Sequence, residues 1–517
     1  MAFIPIKDAG AIGIIRDAFA HELPINAWNA GNNVRFSDGY IERIKGHSSI
    51  YGTPSVEPYF ILPYSSGSGR QWIYAGAAKA YSVSVATHTN ITRQTAGVDV
   101  DYSATADNVW SGGVLSGIAI LNNGTDVPQQ YAGSGKAADL SNWPSTVRCK
   151  SLRPFENYLV AMNLTISGSS KPHRVRVSHP ADPGSVPVSW DETDQTKDVV
   201  EFDLAATQDR LIDGATMGDS FWLYKESSIY RMTPNGSSSI FTVSDPISRT
   251  AGALALNCIA PFPGGHLVLG QGDIFINNGG GIESVITSRM KRWLKSTIDP
   301  TYYTRSFVVA HPYNNEIWIG LVQNGATVPN VAMIWSWSDN TWTFRDLPNA
   351  HYAAAGVIDA LAADTIDDMA GTIDTDTDLM DFTDFSEASQ RLILASTNTK
   401  LYLTDTTTQF DGTDFTAFVE RTGLDFDAPE MVKMVLSIRP IFEGGVGDTV
   451  SIYVGGSDDA ETDPAYGDPV TFTIGTDRQA DVMSLGYRFL ALKIESSASA
   501  TWRLKSYTAE VETLGEY

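Results

Sequence analysis

The side chains in this 517-residue chain best suited to hold a metal or attack a substrate are eight histidines and two cysteines. His21, His47, His88, His173, His179, His266, His311 and His351 are scattered. No two stand at the i, i+4 separation that puts a pair of imidazoles on one helical face around zinc. His173 and His179 lie close together beside Arg174 and Arg176, a pattern that reads as solvated polar surface. Cys149 and Cys258 are isolated and read as buried free thiols, since a disulfide framework needs more cysteines at closer spacing. Carboxylates are more abundant. Asp374-Thr375-Asp376-Thr377-Asp378 offers acids at alternate positions, as a hard-oxygen calcium site requires, but lacks the glycine and distal glutamate of the helix-loop-helix calcium loop. A solvated acidic loop is the favoured reading. No metal and no cofactor are expected.

Other motifs are equally sparing. Asn277-Asn278-Gly279-Gly280-Gly281 is not followed by the Lys-Ser or Lys-Thr that completes a phosphate cradle, and it reads as a loop between repeats. No Gly-x-Ser-x-Gly elbow precedes a helix signal. Ser338-Asp339-Asn340-Thr341-Trp342 is the nearest match to the Ser-x-Asp-x-Gly-x-Thr-Trp turn repeated in glycan hydrolases, yet it occurs once and lacks the glycine. Carboxylate pairs for glycoside hydrolysis are assembled in space rather than along the chain, and nothing here selects one. No catalytic residue is assigned, and no enzymatic activity is expected.

The elements that must position any site are strands. Period-2 apolar runs joined by short turns read as hairpins, centred near Trp72, Ile118, Tyr158, Phe221, Leu267, Trp318 and Leu392. A four-stranded propeller blade takes about 40 to 50 residues, so the recurrence predicts an all-β protein with a β-propeller of six or seven blades. The stretched intervals from Tyr158 to Phe221 and from Trp318 to Leu392 predict insertions near residues 163–215 and 355–390. Residues 1–55 read as an extended N-terminal arm, 56–410 as the propeller and 411–517, with longer alternating strands, as a β-sandwich-like domain. Helix signal is weak, its best stretch running from Ile286 to Leu294.

The formal charge of −24 opposes a surface that grips nucleic acid phosphates by releasing counterions. No window of about 18 apolar residues exists, so no membrane-spanning segment is expected. The N-terminus lacks the pattern of a secretory signal, and synthesis and folding in a cytoplasm are expected.

The opening residues Asp17, Leu23-Pro24, Trp28, Asn32-Asn33-Val34-Arg35-Phe36, Asp38-Gly39 and Gly46 resemble the start of the packaged-DNA stabilisation, or tail nozzle, proteins of short-tailed bacteriophages. Ile118 to Asp126, Gln129-Gln130-Tyr131 and Gly486 to Lys493 with Trp502-Arg503-Leu504 resemble the same group. The resemblance implies a structural virion protein of the tail, assembled in the host cytoplasm as a homo-hexamer. Its partners would be portal or adaptor proteins, tail fibres or spikes, and double-stranded DNA that passes without tight binding. On this reading Trp28, Asn32, Asn33, Arg35 and Phe36 form a subunit-contact arm. Asp364, Asp367, Asp368, Asp374, Asp376, Asp378, Asp381 and Asp384 form an acidic loop facing the channel. The alternative is a tail-associated propeller that binds or degrades glycans.

Overall fold

The computed structural model describes residues 2–16, 19–66, 69–107, 109–236, 240–358, 390–460 and 462–516. Seven four-stranded antiparallel sheets follow one another among these residues, and they are the blades of a propeller. Each of the seven hairpin centres read from the sequence lies on the second strand of a blade: Gly69–Ala75, Ile118–Asn122, Tyr158–Ile166, Ser220–Lys225, Gly265–Leu269, Glu316–Leu321 and Gln390–Ser396. These strands are covered on both faces by neighbouring blades, so they read as continuous apolar runs such as Phe221-Trp222-Leu223-Tyr224, all buried.

The first strands of the blades touch in a ring and line the axis: Phe60–Ser66, Ser111–Leu115, Val147–Phe155, Leu211–Met217, Ile259–Phe262, Phe307–His311 and Ala350–Val357. The seventh blade takes its outer strand from the beginning of the chain. His47–Ser49 pairs with Lys400–Thr404, Thr404 opposite His47 and Tyr402 opposite Ser49. Such a closure ties the first blade to the last and removes an open sheet edge. Gly46 lets the strand enter, because a Cβ there would lie 1.8 Å from the Gln409 carbonyl oxygen.

Beside the propeller lies a two-sheet sandwich built from both ends of the chain. One sheet orders Val34–Ser37, Tyr40–Arg43, Trp502–Glu516, Met431–Gly444 and Ala480–Asp481, with Ala2–Ile6 also on Trp502–Glu516. The other orders Ala30–Asn32, Ala417–Leu424, Phe489–Ser496, Thr449–Ser457 and Ala465–Tyr466, with Val470–Thr473 on Thr449–Ser457. The opening residues therefore supply strands to both sheets of the sandwich. Strands of three or four residues gain stability only by joining a larger sheet. Trp28, Phe36, Val419, Ile452, Ile494, Trp502 and Leu504 share one core with Leu267, Ile317 and Trp335 of the fifth and sixth blades.

Of the two long intervals, the first carries an insertion where the third blade's outer strands separate. Ser167-Gly168 is a tight turn with both φ positive, of the kind that matches strand twist, and residues 178–199 form the loop that follows. Most of the insertion expected near residues 355–390 in the second interval lies outside the described residues. Among the described residues the α-helix is Ser288–Thr297, capped by the Thr287 hydroxyl, which accepts from the Met290 amide. Its Met290 and Leu294 enter the core while Arg292 and Lys295 face solvent.

Candidate functional site

The candidate arm residues come together at the joint between sandwich and propeller. Asn33 sits in the left-handed region at φ 56°, where asparagine is tolerated, and turns the chain from one sandwich sheet to the other. Its amide donates to Asp346 Oδ2 at 2.8 Å and to the Thr416 carbonyl at 2.8 Å, while its Oδ1 accepts from the Asp346 amide at 3.0 Å. Asn32 donates to the other oxygen of the same carboxylate at 2.9 Å. The two asparagines thus clamp the end of the sixth blade. Trp28 is buried and donates Nε1–H to the Ala9 carbonyl at 2.7 Å, and Phe36 is buried in the shared core.

Arg35 reaches from the sandwich into the propeller. It pairs with Glu316 at 2.5 Å, with Asp405 at 2.9 Å and with Glu42 at 3.7 Å. Arg345 closes the cluster on Asp405 at 3.0 Å and lies over the Trp318 ring. Burial alone would raise the Glu316 carboxyl, but the Arg35 charge and hydrogen bonds outweigh it and hold the group at about 2. Asp405 is likewise buried and held well below the usual carboxylate range by Arg35 and Arg345. Beside this cluster His47 stacks on Phe410 at 4.6 Å, and burial with the nearby Arg345 charge pushes its imidazole down to about 3. All five arm side chains make contacts with other residues of the chain.

A second charged network crosses the propeller axis. Arg153 and Asp213 form a two-pronged pair, Nε to Oδ1 at 2.9 Å and Nη2 to Oδ2 at 2.6 Å. Asp213 also accepts from the Ser151 hydroxyl and from the amides of Gly214 and Asn257. Asn257 returns Oδ1 to Arg153 and donates to the Trp110 carbonyl at 3.1 Å, and Arg153 donates to the Gly112 carbonyl at 3.2 Å. Four successive blades are pinned in this way. Burial opposes both charges, yet their mutual attraction lowers the Asp213 carboxyl and raises the Arg153 guanidinium. One cavity of about 200 Å³ opens at the end where these strands begin, bordered by Asp107, Lys150, Arg210 and Tyr303. A second, of about 300 Å³, lies along the axis past the network and is bordered by Arg153, Asp213, Asn257 and Tyr352.

None of these axial residues stands out in the sequence. Arg153, Asp213, Asn257 and Tyr352 belong to four blades, and their one local signal is a polar residue within an inner-strand run, as in Leu211-Ile212-Asp213-Gly214-Ala215. The acidic-loop candidates Asp364, Asp367, Asp368, Asp374, Asp376, Asp378, Asp381 and Asp384 lie outside the described residues. Among the described residues no cluster of histidine, cysteine and carboxylate could hold a metal. Two histidines instead bridge strands in the same manner. His88 Nδ1 accepts from the Tyr74 hydroxyl at 2.8 Å and Nε2 donates to the Tyr51 carbonyl. His266 does so with Tyr224 at 2.9 Å and the Thr216 carbonyl. Cys149 and Cys258 are free and buried, and burial pushes the Cys258 thiol up to about 12. Neither thiol is poised as a nucleophile. Among the described residues no helix is long and apolar enough to cross a membrane.

No protein-family model and no curated protein matches this sequence. Solved structures that resemble the chain include virginiamycin B lyase from Staphylococcus aureus, at 10% identity and TM-score 0.39, covering 70% of this chain and 98% of that one. PorZ, a surface component of the type-IX secretion system of Porphyromonas gingivalis, aligns at 10% identity and TM-score 0.35 over 73% of this chain and 43% of its own. The WD40 domain of Neurospora crassa Pan2 aligns at 9% identity and TM-score 0.32, covering 70% of this chain and 89% of that domain. At such scores nothing of their chemistry transfers to this protein.

Proposed function

We propose that this chain is a structural virion protein of a short-tailed bacteriophage. Six copies form the distal nozzle ring of the tail, which closes the channel, retains the packaged DNA and lets it pass on ejection. The observation that carries this reading is the joint between sandwich and propeller. The residues at the heart of the family resemblance, Asn32-Asn33-Val34-Arg35-Phe36, are the ones that lock the two bodies together through Asp346, Glu316 and Asp405. A shared motif spent on holding two bodies rigid fits a load-carrying subunit. The axial charges, paired with each other, also support architecture over catalysis.

The acidity supports the same reading. Six chains each carrying −24 present little to hold phosphates, so double-stranded DNA beside them slides rather than adheres. Portal or adaptor proteins above and fibres or spikes at the side are the partners this role requires. Electron microscopy of the purified chain mixed with its adaptor is the test. A six-fold ring below the adaptor is expected. A chain that stays monomeric on the adaptor, or that releases reducing sugar from capsule or lipopolysaccharide, overturns the proposal.

A further inference from the structure

The axial cavity past the Arg153–Asp213 pair combines apolar walls with polar groups in a way that the nozzle role does not explain. Its volume, about 300 Å³, matches the lower end of small-molecule sites. Its walls are largely apolar: Pro154, Ala215, Ile259, Pro261, Val309 and Ala310. Two polar groups with unspent hydrogen-bonding capacity border it. Arg153 has five N–H donors, of which Nε, one on Nη1 and both on Nη2 are used, so one Nη1–H remains. Its side chain is 17% exposed. Tyr352 is the other. Its ring is fixed by stacking on Phe60 at 5.0 Å and by an edge contact with Phe307 at 5.8 Å. Its hydroxyl has no hydrogen-bond partner among the described residues, and burial raises its pKa, so it stays a donor at neutral pH.

The remaining polar groups are spent. Asp213 accepts five hydrogen bonds, from Ser151, Gly214, Asn257 and twice from Arg153, and Asn257 uses both ends of its amide. The free side-chain N–H and O–H are therefore donors, and the Arg153 charge is already neutralised by Asp213. An anion would lose its hydration without gaining a net positive partner. An uncharged acceptor would not. From this the geometry points to a binding site for a small uncharged molecule that presents a carbonyl oxygen to Arg153 Nη1 and Tyr352 Oη and lays an apolar body against the prolines and valine.

This inference stands independently of ring assembly. It is tested on the full chain by ligand-observed saturation-transfer NMR with benzamide, and with benzoate as the anion of the same shape. Benzamide is expected to bind, and its dissociation constant to rise about fivefold in Tyr352→Phe, the loss of one ordinary hydrogen bond. Tyr352→Phe keeps the ring stacking, so folding is retained. A second variant, Ala310→Leu, fills the cavity without touching either donor and is expected to abolish the transfer. The site is overturned if benzamide gives no transfer at millimolar concentration, or if both variants give the transfer of the unaltered chain. Tighter binding of benzoate overturns its uncharged character.

Discussion

Asn33 and Arg35 show how much one side chain can carry when it stands where two bodies meet. Asn33 supplies a backbone conformation that β-carbon residues seldom adopt and three hydrogen bonds, all in a fully buried position. Asn33→Ala removes the partner of Asp346 Oδ2, of the Asp346 amide and of the Thr416 carbonyl, and should cost about 2 to 4 kcal/mol in urea unfolding. Asn33→Gly keeps the backbone freedom alone and should recover only a small part of that loss. Arg35→Met leaves Glu316 in the interior without its arginine and Asp405 with Arg345 alone. Breaking such a buried pair costs about 3 to 5 kcal/mol, more than an exposed ion pair is worth. If Arg35→Met lowers stability by no more than Arg210→Met, an exposed arginine paired with Glu226, the joint is not where the stability resides.

At the scale of elements, the closing strand His47–Ser49 is the vulnerable part, because it is three residues long and holds the propeller shut. Gly46→Ala drives a Cβ into the Gln409 carbonyl. Hydrogen exchange should then quicken in Lys400–Thr404, while the interior strands of the second and third blades keep their protection. The same strand makes the protein sensitive to acid. His47 is buried neutral with its pKa lowered from 6.5 to about 3, so between those values the unfolded chain binds more protons than the folded one. Its contribution is intact above pH 6.5 and falls away as pH drops toward 3. Glu316, lowered from 4.5 to about 2, adds a second loss as pH falls below 4.5. The urea midpoint should therefore fall between pH 7 and pH 5. His47→Phe, which keeps an aromatic ring against Phe410, should flatten that part of the profile and leave the loss below pH 4.5.

For the whole molecule, the decisive fact is that both chain ends build the sandwich. Ala2–Ile6 and Tyr40–Arg43 pair with Trp502–Glu516, and Ala30–Asn32 pairs with Ala417–Leu424. Removing residues 2–46 should expose the apolar faces of both sheets and give aggregate rather than a soluble propeller. Size-exclusion chromatography of the truncated chain reads this directly, and a monodisperse product would refute the joint construction.

How far the sequence reaches follows from the range of the forces involved. The second strands of all seven blades are legible because burial on both faces makes them continuous apolar runs, and turns such as Asp38-Gly39 are legible because left-handed backbone favours these residues. By itself the sequence determined the strand-and-turn repeat, the propeller it implies and the net acidity of the chain. It could not show that Asn33 meets Asp346, that Arg35 meets Glu316 and Asp405, or that Arg153, Asp213, Asn257 and Tyr352 converge on one axis. Those meetings join residues tens to hundreds of positions apart, and no local pattern encodes them. Only the tertiary structure decided them, because partners for buried charges are chosen by the closure of the ring and the return of the chain's ends to one sandwich.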